Sequence, residues 1–288
     1  MLNYNLLRKI KHKLTNFKEV DILDEYVTTL PSQQNIVDIF KDEWSSKFPD
    51  SSDVLTKPGT AKLFEDSRVI WAEEVFGSFS GYEILELGPL EGGHSYMFQD
   101  KGAKKIIAIE ANKRAFLKCL CVKEIFNLNK VNFFLGDFNS FLNKNNVNYN
   151  LIFASGVLYH MVNPIELLYS MSKSTDQIFI WTHYYDSSVI NNNIHLSHKF
   201  TPLQILEFKG EKYEYSTQSY KGSLGWGGFC GGSEPVSKWL SKKSIIKALN
   251  LFGFAEIQIG FDHPDHQNGP ALLYVQKKEK SLSTFRAK

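Results

Sequence analysis

The chain has 288 residues, of which 43% are hydrophobic and 14% aromatic, so it can bury a large core as one domain with an extension or as two domains. Its formal net charge of +2 gives no strong overall attraction to nucleic acid. It has no apolar run of about 18 residues and no signal-peptide pattern, so we expect no membrane span and a cytoplasmic location. Its cysteines form neither a disulfide framework nor a CxxC metal pair: Cys119, Cys121 and Cys230.

Residues 1–80 are predicted to be mostly helical. Apolar side chains recur at helical spacing in residues 6–17, with basic residues between them. This helix either lies on an anionic membrane or, as we favour, docks on the core with a solvated basic face. A second helix is expected after Ser32, its N-cap, with Trp44 on its apolar face, and a third near 61–76.

A short apolar strand followed by a glycine-rich turn is the pattern on which the functional prediction depends. Residues 82–88 suit a buried parallel strand, because such strands are almost continuously apolar. Gly88, Gly92 and Gly93 then allow a tight turn that a ligand can approach without meeting a Cβ atom. A helix over 93–101 would present the free N–H groups of its N-terminus to a ligand carboxylate.

The spacing of the glycines in this turn favours one class of nucleotide-type ligand. The sequence Glu-Leu-Gly-Pro-Leu-Glu-Gly from Glu86 to Gly92 resembles the E/D-x-G-x-x-x-G turn of class I S-adenosylmethionine (SAM) methyltransferases. It departs from the G-x-G-x-x-G of dinucleotide enzymes, because Leu90 stands where the second glycine should be. Glu110 ends the next predicted strand about 20 residues later, which suits hydrogen bonding to two ribose hydroxyls. Nicotinamide cofactors and SAM both carry such a ribose, so Glu110 alone does not choose between them.

Strands and helices alternate through the rest of the chain, and this predicts an α/β fold with a doubly wound, mostly parallel sheet. Its ligand should lie beyond the carboxyl ends of the strands. With the last two strands included, the resemblance implies the seven-stranded, Rossmann-like methyltransferase fold. The strands are expected at 82–88, 105–110, 131–136, 149–155, 177–184, 254–261 and 271–276. The helices are expected at 93–101, 112–127, 164–174 and 241–252.

Changes of pattern divide the chain into four parts. We expect an N-terminal helical cap (1–80), a SAM-binding core (81–185), an insertion after the fifth strand (186–235), and the C-terminal part of the core with a tail (236–288). The insertion is polar and glycine-rich and lacks sustained periodicity. A loop of that length inside a compact domain is usually a functional lid or disordered, and we favour a segment that covers the substrate.

The resemblance also implies which residues hold the cofactor. In class I methyltransferases an aspartate after the third strand accepts from the adenine amine, and its apolar neighbour stacks on the ring. Asp137 and Phe138 match that pattern, although an aspartate there could also simply start a turn. The full set expected to contact SAM is Glu86, Gly88, Gly92, Glu110, Ala111, Asp137, Phe138 and Ser155.

The segment Gly156-Val-Leu-Tyr159-His160 follows the fourth predicted strand. It resembles the G-V-L-Y-H segment of the enzyme that carboxymethylates the wobble uridine of tRNA, and also that of an uncharacterised group of bacterial methyltransferases. The similarity spans about residues 63–183. That enzyme holds the added carboxylate of its cofactor with extra basic residues, which have no clear counterpart after His160. We therefore expect ordinary SAM to be preferred.

Candidate catalytic residues follow from the chemistry of methyl transfer. A hydroxyl acceptor usually needs a base to remove its proton, and His160 and His183 are expected to open into one crevice at neighbouring strand ends. Asp186 is close enough in sequence to orient His183, which we favour as the base. The expected acceptor-binding residues are Tyr159, Tyr184, Trp226 and His263. No established metal-ligand spacing is present, so we predict no metal.

These patterns favour a SAM-dependent methyltransferase that methylates a small-molecule acceptor, most simply a hydroxyl of a sugar or a secondary metabolite. The alternatives are a tRNA-modifying alkyltransferase that acts on wobble uridine and a SAM-binding regulatory module without catalysis. The near-neutral charge argues against the first, since tRNA binders usually carry basic patches. A dehydrogenase is disfavoured by the glycine spacing. The sequence predicts neither the acceptor nor the oligomeric state.

Overall fold

The computed structural model describes residues 26–144, 147–225 and 231–278, so the helix predicted at 6–17 lies outside the described residues. The described residues before the core contain two short parallel strands as well as helices, which corrects the expectation of a mostly helical segment. The elements are α1 (Gln33–Asp38), β1 (Trp44–Ser46), β2 (Pro58–Ala61) and α2 (Ser67–Phe76).

The second predicted helix begins where expected but ends early. Ser32 is its N-cap, since the Ser32 hydroxyl accepts a hydrogen bond from the Asn35 amide at 3.2 Å. The helix ends before Asp42, which has a φ of 67° and lies in the left-handed region that interrupts a helix. Trp44 therefore starts β1, where its indole is buried and donates to the Val37 carbonyl at 2.9 Å. The indole is thus buried with its N–H satisfied, which stabilises this arrangement.

Strands and helices then alternate over the stretch where the sequence predicts it. In chain order they are β3 (Glu83–Leu87), α3 (Gly93–Asp100), β4 (Lys105–Glu110), α4 (Lys113–Ile125), β5 (Val131–Leu135), α5 (Phe138–Lys144), β6 (Leu151–Ser155), α6 (Pro164–Ser172) and β7 (Gln177–His183). Only α5 was not expected. A 3₁₀ turn at Leu158–His160 lies between β6 and α6.

The insertion is not the loop that the sequence predicted. After α7 (Ser187–Ile190) it contributes β8 (Gln204–Phe208) and β9 (Glu211–Ser219), which form an antiparallel sheet with β10 (Val236–Leu240). Lys209 and Gly210 join β8 to β9 and both have positive φ, at 52° and 80°. Two such residues are the mark of a type I′ hairpin turn. The strands were missed because their faces are only partly buried and carry many polar residues.

The chain closes the central sheet with α8 (Lys242–Leu251), β11 (Phe254–His263) and β12 (Ala271–Lys278). The strand order is β11-β12-β7-β6-β3-β4-β5. Strands β3 to β7 run parallel to one another, and β12 is antiparallel to both β7 and β11. This confirms the predicted doubly wound, mostly parallel, seven-stranded sheet. Among the described helices, none combines the length and apolar character needed to cross a bilayer.

Side chains from alternate positions of the strands form a core on each face of the sheet. Phe153 of β6 stacks on Phe179 of β7 at 4.0 Å, on the face covered by α2, α3 and α4. Their neighbours Ile152 and Ile180 point to the opposite face, where they pack with α6 and α8. Because both faces are covered, the ends of the parallel strands are where a ligand can enter.

Candidate active site

A cavity of 750 Å³ opens at the carboxyl ends of β3, β4, β6 and β7. This is where a doubly wound sheet is expected to bind a ligand. Of the eight residues predicted to contact the cofactor, Glu86 and Gly92 do not line it. The six that do are Gly88, Glu110, Ala111, Asp137, Phe138 and Ser155.

Two glycines of the turn, Gly88 at the cavity wall and Gly92 at the start of α3, have positive φ angles. Gly88 has a φ of 65°, and its amide donates to the Ile109 carbonyl at 3.0 Å. A Cβ atom on Gly88 would lie 3.2 Å from Val157, so only glycine suits both this conformation and this contact. Gly92 has a φ of 79° and is the N-cap of α3. It does not line the cavity, and a Cβ atom on it would lie 3.1 Å from Phe133.

Glu86 acts through a buried polar network rather than by lining the cavity. The Ser95 hydroxyl donates to Glu86, and His94 Nδ1 lies 3.4 Å from Glu86 Oε1. On its other side His94 Nε2 lies 2.9 Å from Asp66 Oδ2. Asp66 also forms an ion pair with Arg68 at 2.5 Å, and its Oδ1 accepts the Arg68 amide as the N-cap of α2.

The charges in this network support one another. Burial lowers the pKa of His94, but hydrogen bonds to Asp66 and Glu86 outweigh burial and raise the pKa above its ordinary value. Burial raises the pKa of Asp66, but hydrogen bonds from His94 and Arg68 more than offset it and hold that pKa well below its usual range. His94 and Arg68, which the sequence analysis did not single out, both line the cavity.

Glu110 presents a carboxylate at the cavity wall. Its two oxygens accept backbone hydrogen bonds from Leu90 at 3.1 Å and Asn112 at 2.8 Å. Burial raises the pKa of Glu110, and the backbone hydrogen bonds oppose this shift. A carboxylate has about four acceptor positions, so the two that remain suit a pair of ligand hydroxyls.

Asp137, Phe138 and Ser155 line the cavity near the ends of β5 and β6. Asp137 Oδ1 accepts the Ser140 amide at 2.6 Å and so starts α5, which is the turn-starting role considered above. Asp137 starts this helix and also lines the cavity. The buried Ser155 hydroxyl has no hydrogen-bond partner among the residues that the structure describes. Ser155 thus belongs to the cavity wall while its hydroxyl oxygen is itself buried.

Tyr159, His160 and Trp181 form another part of the cavity wall. Tyr159 and His160 lie in the 3₁₀ turn that follows Gly156, which has a φ of 79°. His160 Nδ1 lies 2.7 Å from the Tyr220 hydroxyl, a residue of the insertion. Burial, and then the neighbouring His183, lower the pKa of His160 to about 3, so its imidazole is neutral at pH 7.

His183 lies behind this wall and does not line the cavity. Its Nδ1 lies 3.0 Å from the Gly269 carbonyl and 3.3 Å from that of Pro270, and its ring stacks on Trp239 at 5.0 Å. The Tyr159 ring meets it edge-on at 4.7 Å. Burial lowers the pKa of His183 to about 4, even though the carbonyls oppose this.

The other residues predicted for catalysis or acceptor binding either do not line the cavity or lie outside the residues that the structure describes. Tyr184 is on the opposite face of the sheet, because neighbouring strand residues alternate, and its hydroxyl donates to Asp262 at 2.8 Å. Asp186 accepts the Ser188 amide at 2.9 Å as the N-cap of α7 and so does not orient His183. His263 is exposed at the end of β11, and Trp226 lies outside the described residues.

The arrangement contains no evident metal centre in the ranges that the structure describes, where no cluster of three or more His, Cys, Asp or Glu side chains could hold an ion. What the cavity offers instead is a carboxylate at Glu110 and a neutral imidazole at His160. Such a wall can bind a polar, ribose-bearing ligand and can accept a proton beside it.

Comparison with known proteins rests on structure. No protein-family model matches the chain, and no curated protein sequence matches it. The N-terminal domain of EvdMO1, solved in the presence of SAH and D-fucose, is similar with a TM-score of 0.66 and 20% identity over 86% of this chain and 95% of that one. The EvdMO1 structure of the longer chain gives a TM-score of 0.59 and 19% identity over 88% of this chain, which spans about half (49%) of its length.

A SAM-dependent methyltransferase from Mesorhizobium loti is similar with a TM-score of 0.50 and 12% identity, over 75% of this chain and 100% of that one. At such low identities the similarity is one of fold. The chain therefore has the Rossmann-like α/β fold that it shares with these structures.

Proposed function

We propose that the protein is a SAM-dependent methyltransferase that methylates a hydroxyl of a small-molecule acceptor such as a sugar or a secondary metabolite. The observation that carries this proposal is a single cavity at the strand ends, in which Glu110 and Asp137 share the wall with a neutral histidine, His160. The glycine turn, the fold, and the SAH named with EvdMO1 support SAM as the cofactor.

The cavity wall fits this cofactor. Glu110 keeps two acceptor positions for the ribose hydroxyls, and Gly88 leaves room where a side chain would intrude. Asp137 would accept from the adenine amine and Phe138 would pack against the ring, with Ser155 in the same wall. Bound SAM would supply an electrophilic methyl group on a sulfonium ion.

The residues of the chain would supply position and a base. His160 lines the cavity with its imidazole neutral, and a neutral imidazole nitrogen accepts the proton of a hydroxyl. Tyr159 packs against the His160 ring at 4.0 Å, and Trp181 meets Tyr159 edge-on in the same cavity wall. His183 remains a second candidate, but Tyr159 packs against its ring and it does not line the cavity, so we now rank His160 above it.

Two features support a sugar-like acceptor. The wall beside His160 combines the indole of Trp181 with the hydroxyl-bearing ring of Tyr159, a mixture of apolar faces and polar edges that suits a ring with several hydroxyls. Among similar structures, the N-terminal domain of EvdMO1 was crystallised in the presence of D-fucose. The near-neutral net charge of +2 is also in keeping with a small acceptor rather than tRNA.

Calorimetry tests the cofactor assignment, and a methyl-transfer screen tests the acceptor. We expect SAM and SAH to bind the purified chain and NADH not to bind. Labelled SAM is then incubated with D-fucose, related deoxysugars and unmodified tRNA, and labelled product is measured for each. Binding of NADH without binding of SAM would overturn the proposal. Label found in tRNA alone would replace the small-molecule acceptor with the alternative.

A further inference from the structure

The insertion, rather than the central sheet, holds the side chain of His160. Tyr220 follows β9 and Gly231 precedes β10, and the Tyr220 hydroxyl lies 2.7 Å from His160 Nδ1 and 2.9 Å from the Gly231 carbonyl oxygen. A chain of two hydrogen bonds therefore runs from the imidazole to a backbone carbonyl of the insertion.

Backbone contacts fix the end of the insertion and the adjoining strand β10 against the 3₁₀ turn. The Lys238 amide of β10 donates at 2.8 Å to the carbonyl of Met161, the residue that follows His160. Gly232 approaches so closely that a Cβ atom there would lie 3.3 Å from the His160 carbonyl oxygen. These contacts hold the segment that carries the Gly231 carbonyl close to His160.

The direction of each hydrogen bond follows from what the groups can donate. A carbonyl oxygen only accepts, so the hydroxyl of Tyr220 must use its single hydrogen on Gly231. The same hydroxyl can then only accept from His160, and Nδ1 must carry a proton. In a neutral imidazole this leaves Nε2 unprotonated.

We propose that Tyr220 is a positioning residue that holds His160 in the Nδ1–H tautomer, so that Nε2 is the nitrogen that accepts the acceptor proton. This inference rests on the proposed function, since the proton comes from the acceptor hydroxyl. In the step, the O–H bond breaks, its electron pair stays on the oxygen, and a new N–H bond forms at Nε2. The resulting imidazolium keeps its Nδ1–H bond to Tyr220, whose oxygen stabilises the added charge.

Nitrogen NMR of the chain labelled with ¹⁵N-histidine tests the tautomer without any substrate. The signals of His160 are assigned by their loss in His160→Gln. We expect a protonated Nδ1 and an unprotonated Nε2 at pH 7 in the wild type, and a shift of the proton toward Nε2 in Tyr220→Phe. As the control, Tyr215→Phe removes a hydroxyl from β9, the strand that precedes Tyr220, and should leave the pattern unchanged.

A protonated Nε2 in the wild type would overturn the inference, and so would an unchanged His160 pattern in Tyr220→Phe. The wild-type spectrum alone decides the first point even if the variant does not fold. With an acceptor from the sugar screen, Tyr220→Phe should lower kcat by about 10-fold, the effect of one hydrogen bond, at unchanged KM. An unchanged kcat would refute the catalytic role. Absence of SAM binding in the wild type would refute the proposed function instead, and it leaves the tautomer result standing.

Discussion

Replacing Glu110 by alanine tests the proposed role of its carboxylate in cofactor binding. The carboxylate accepts two backbone amides, from Leu90 and Asn112, and has about two acceptor positions left for ribose hydroxyls. Each hydrogen bond to a charged group contributes about 1.5–3 kcal/mol, so the loss of two should raise the Kd for SAM by about 100-fold or more. The backbone amides also lose their acceptor, which loosens the glycine turn and adds to the effect.

Calorimetric titration with SAM and with SAH measures this change, and circular dichroism checks that the variant is folded. Glu83→Ala is the matched control, because Glu83 is also a carboxylate flanking this part of the sheet but lies at the start of β3, paired with Lys104 at 2.6 Å and away from the cavity. We expect the control to bind SAM like the wild type. A Glu110→Ala variant that binds SAM within about 3-fold of wild type, a change worth less than one ordinary hydrogen bond, would refute the assigned role of Glu110.

His160→Gln should lower turnover of the acceptor by about 10²–10⁴-fold with little change in the Kd for SAM, measured by product formation and calorimetry. His183→Gln should affect turnover less and should lower the Tm, because it disturbs the hydrogen bond to Gly269 and the stack on Trp239. Both histidines have folded pKa values below the unfolded value of about 6.5, so the unfolded chain binds more protons in that window. The stability that these two histidines contribute is therefore fully present above about pH 6.5 and is lost as the pH falls toward 4, by about 1.4 kcal/mol per pH unit for each histidine. Urea unfolding of wild type and His183→Gln at pH 7 and pH 5 checks this, since the variant should lose less.

Local rules of the sequence predicted the parts of the site that lie at strand ends. The apolar run before Gly88 and the one before Glu110 are parallel strands, and parallel strands bring their carboxyl ends to one edge. Strand alternation also bears on Tyr184. Since successive strand residues face opposite sides, His183 and Tyr184 cannot both face one crevice, and the sequence contained that information.

Contacts between distant segments were beyond such rules. Tyr220 and His160 are 60 residues apart, and nothing in the polar stretch around Tyr220 indicates a partner. The hairpin beside it could have been found from Lys209 and Gly210, since a glycine after a polar residue suits a tight turn between strands. The pairing of Asp66 with His94 likewise depends on how α2 docks on α3, which no local periodicity encodes.

Asp66 serves two structures with one carboxylate, since Oδ1 caps α2 and Oδ2 bonds to His94 beside the cavity. The start of α2 and the charge state at the cavity wall are therefore thermodynamically linked. A ligand that changes the charge state of His94 therefore also acts on the cap, and the effect is reciprocal. Hydrogen exchange at the first amides of α2 is thus a remote reporter of ligand binding, and a substitution in the loop before α2 would behave in a genetic screen like a lesion of the cofactor site.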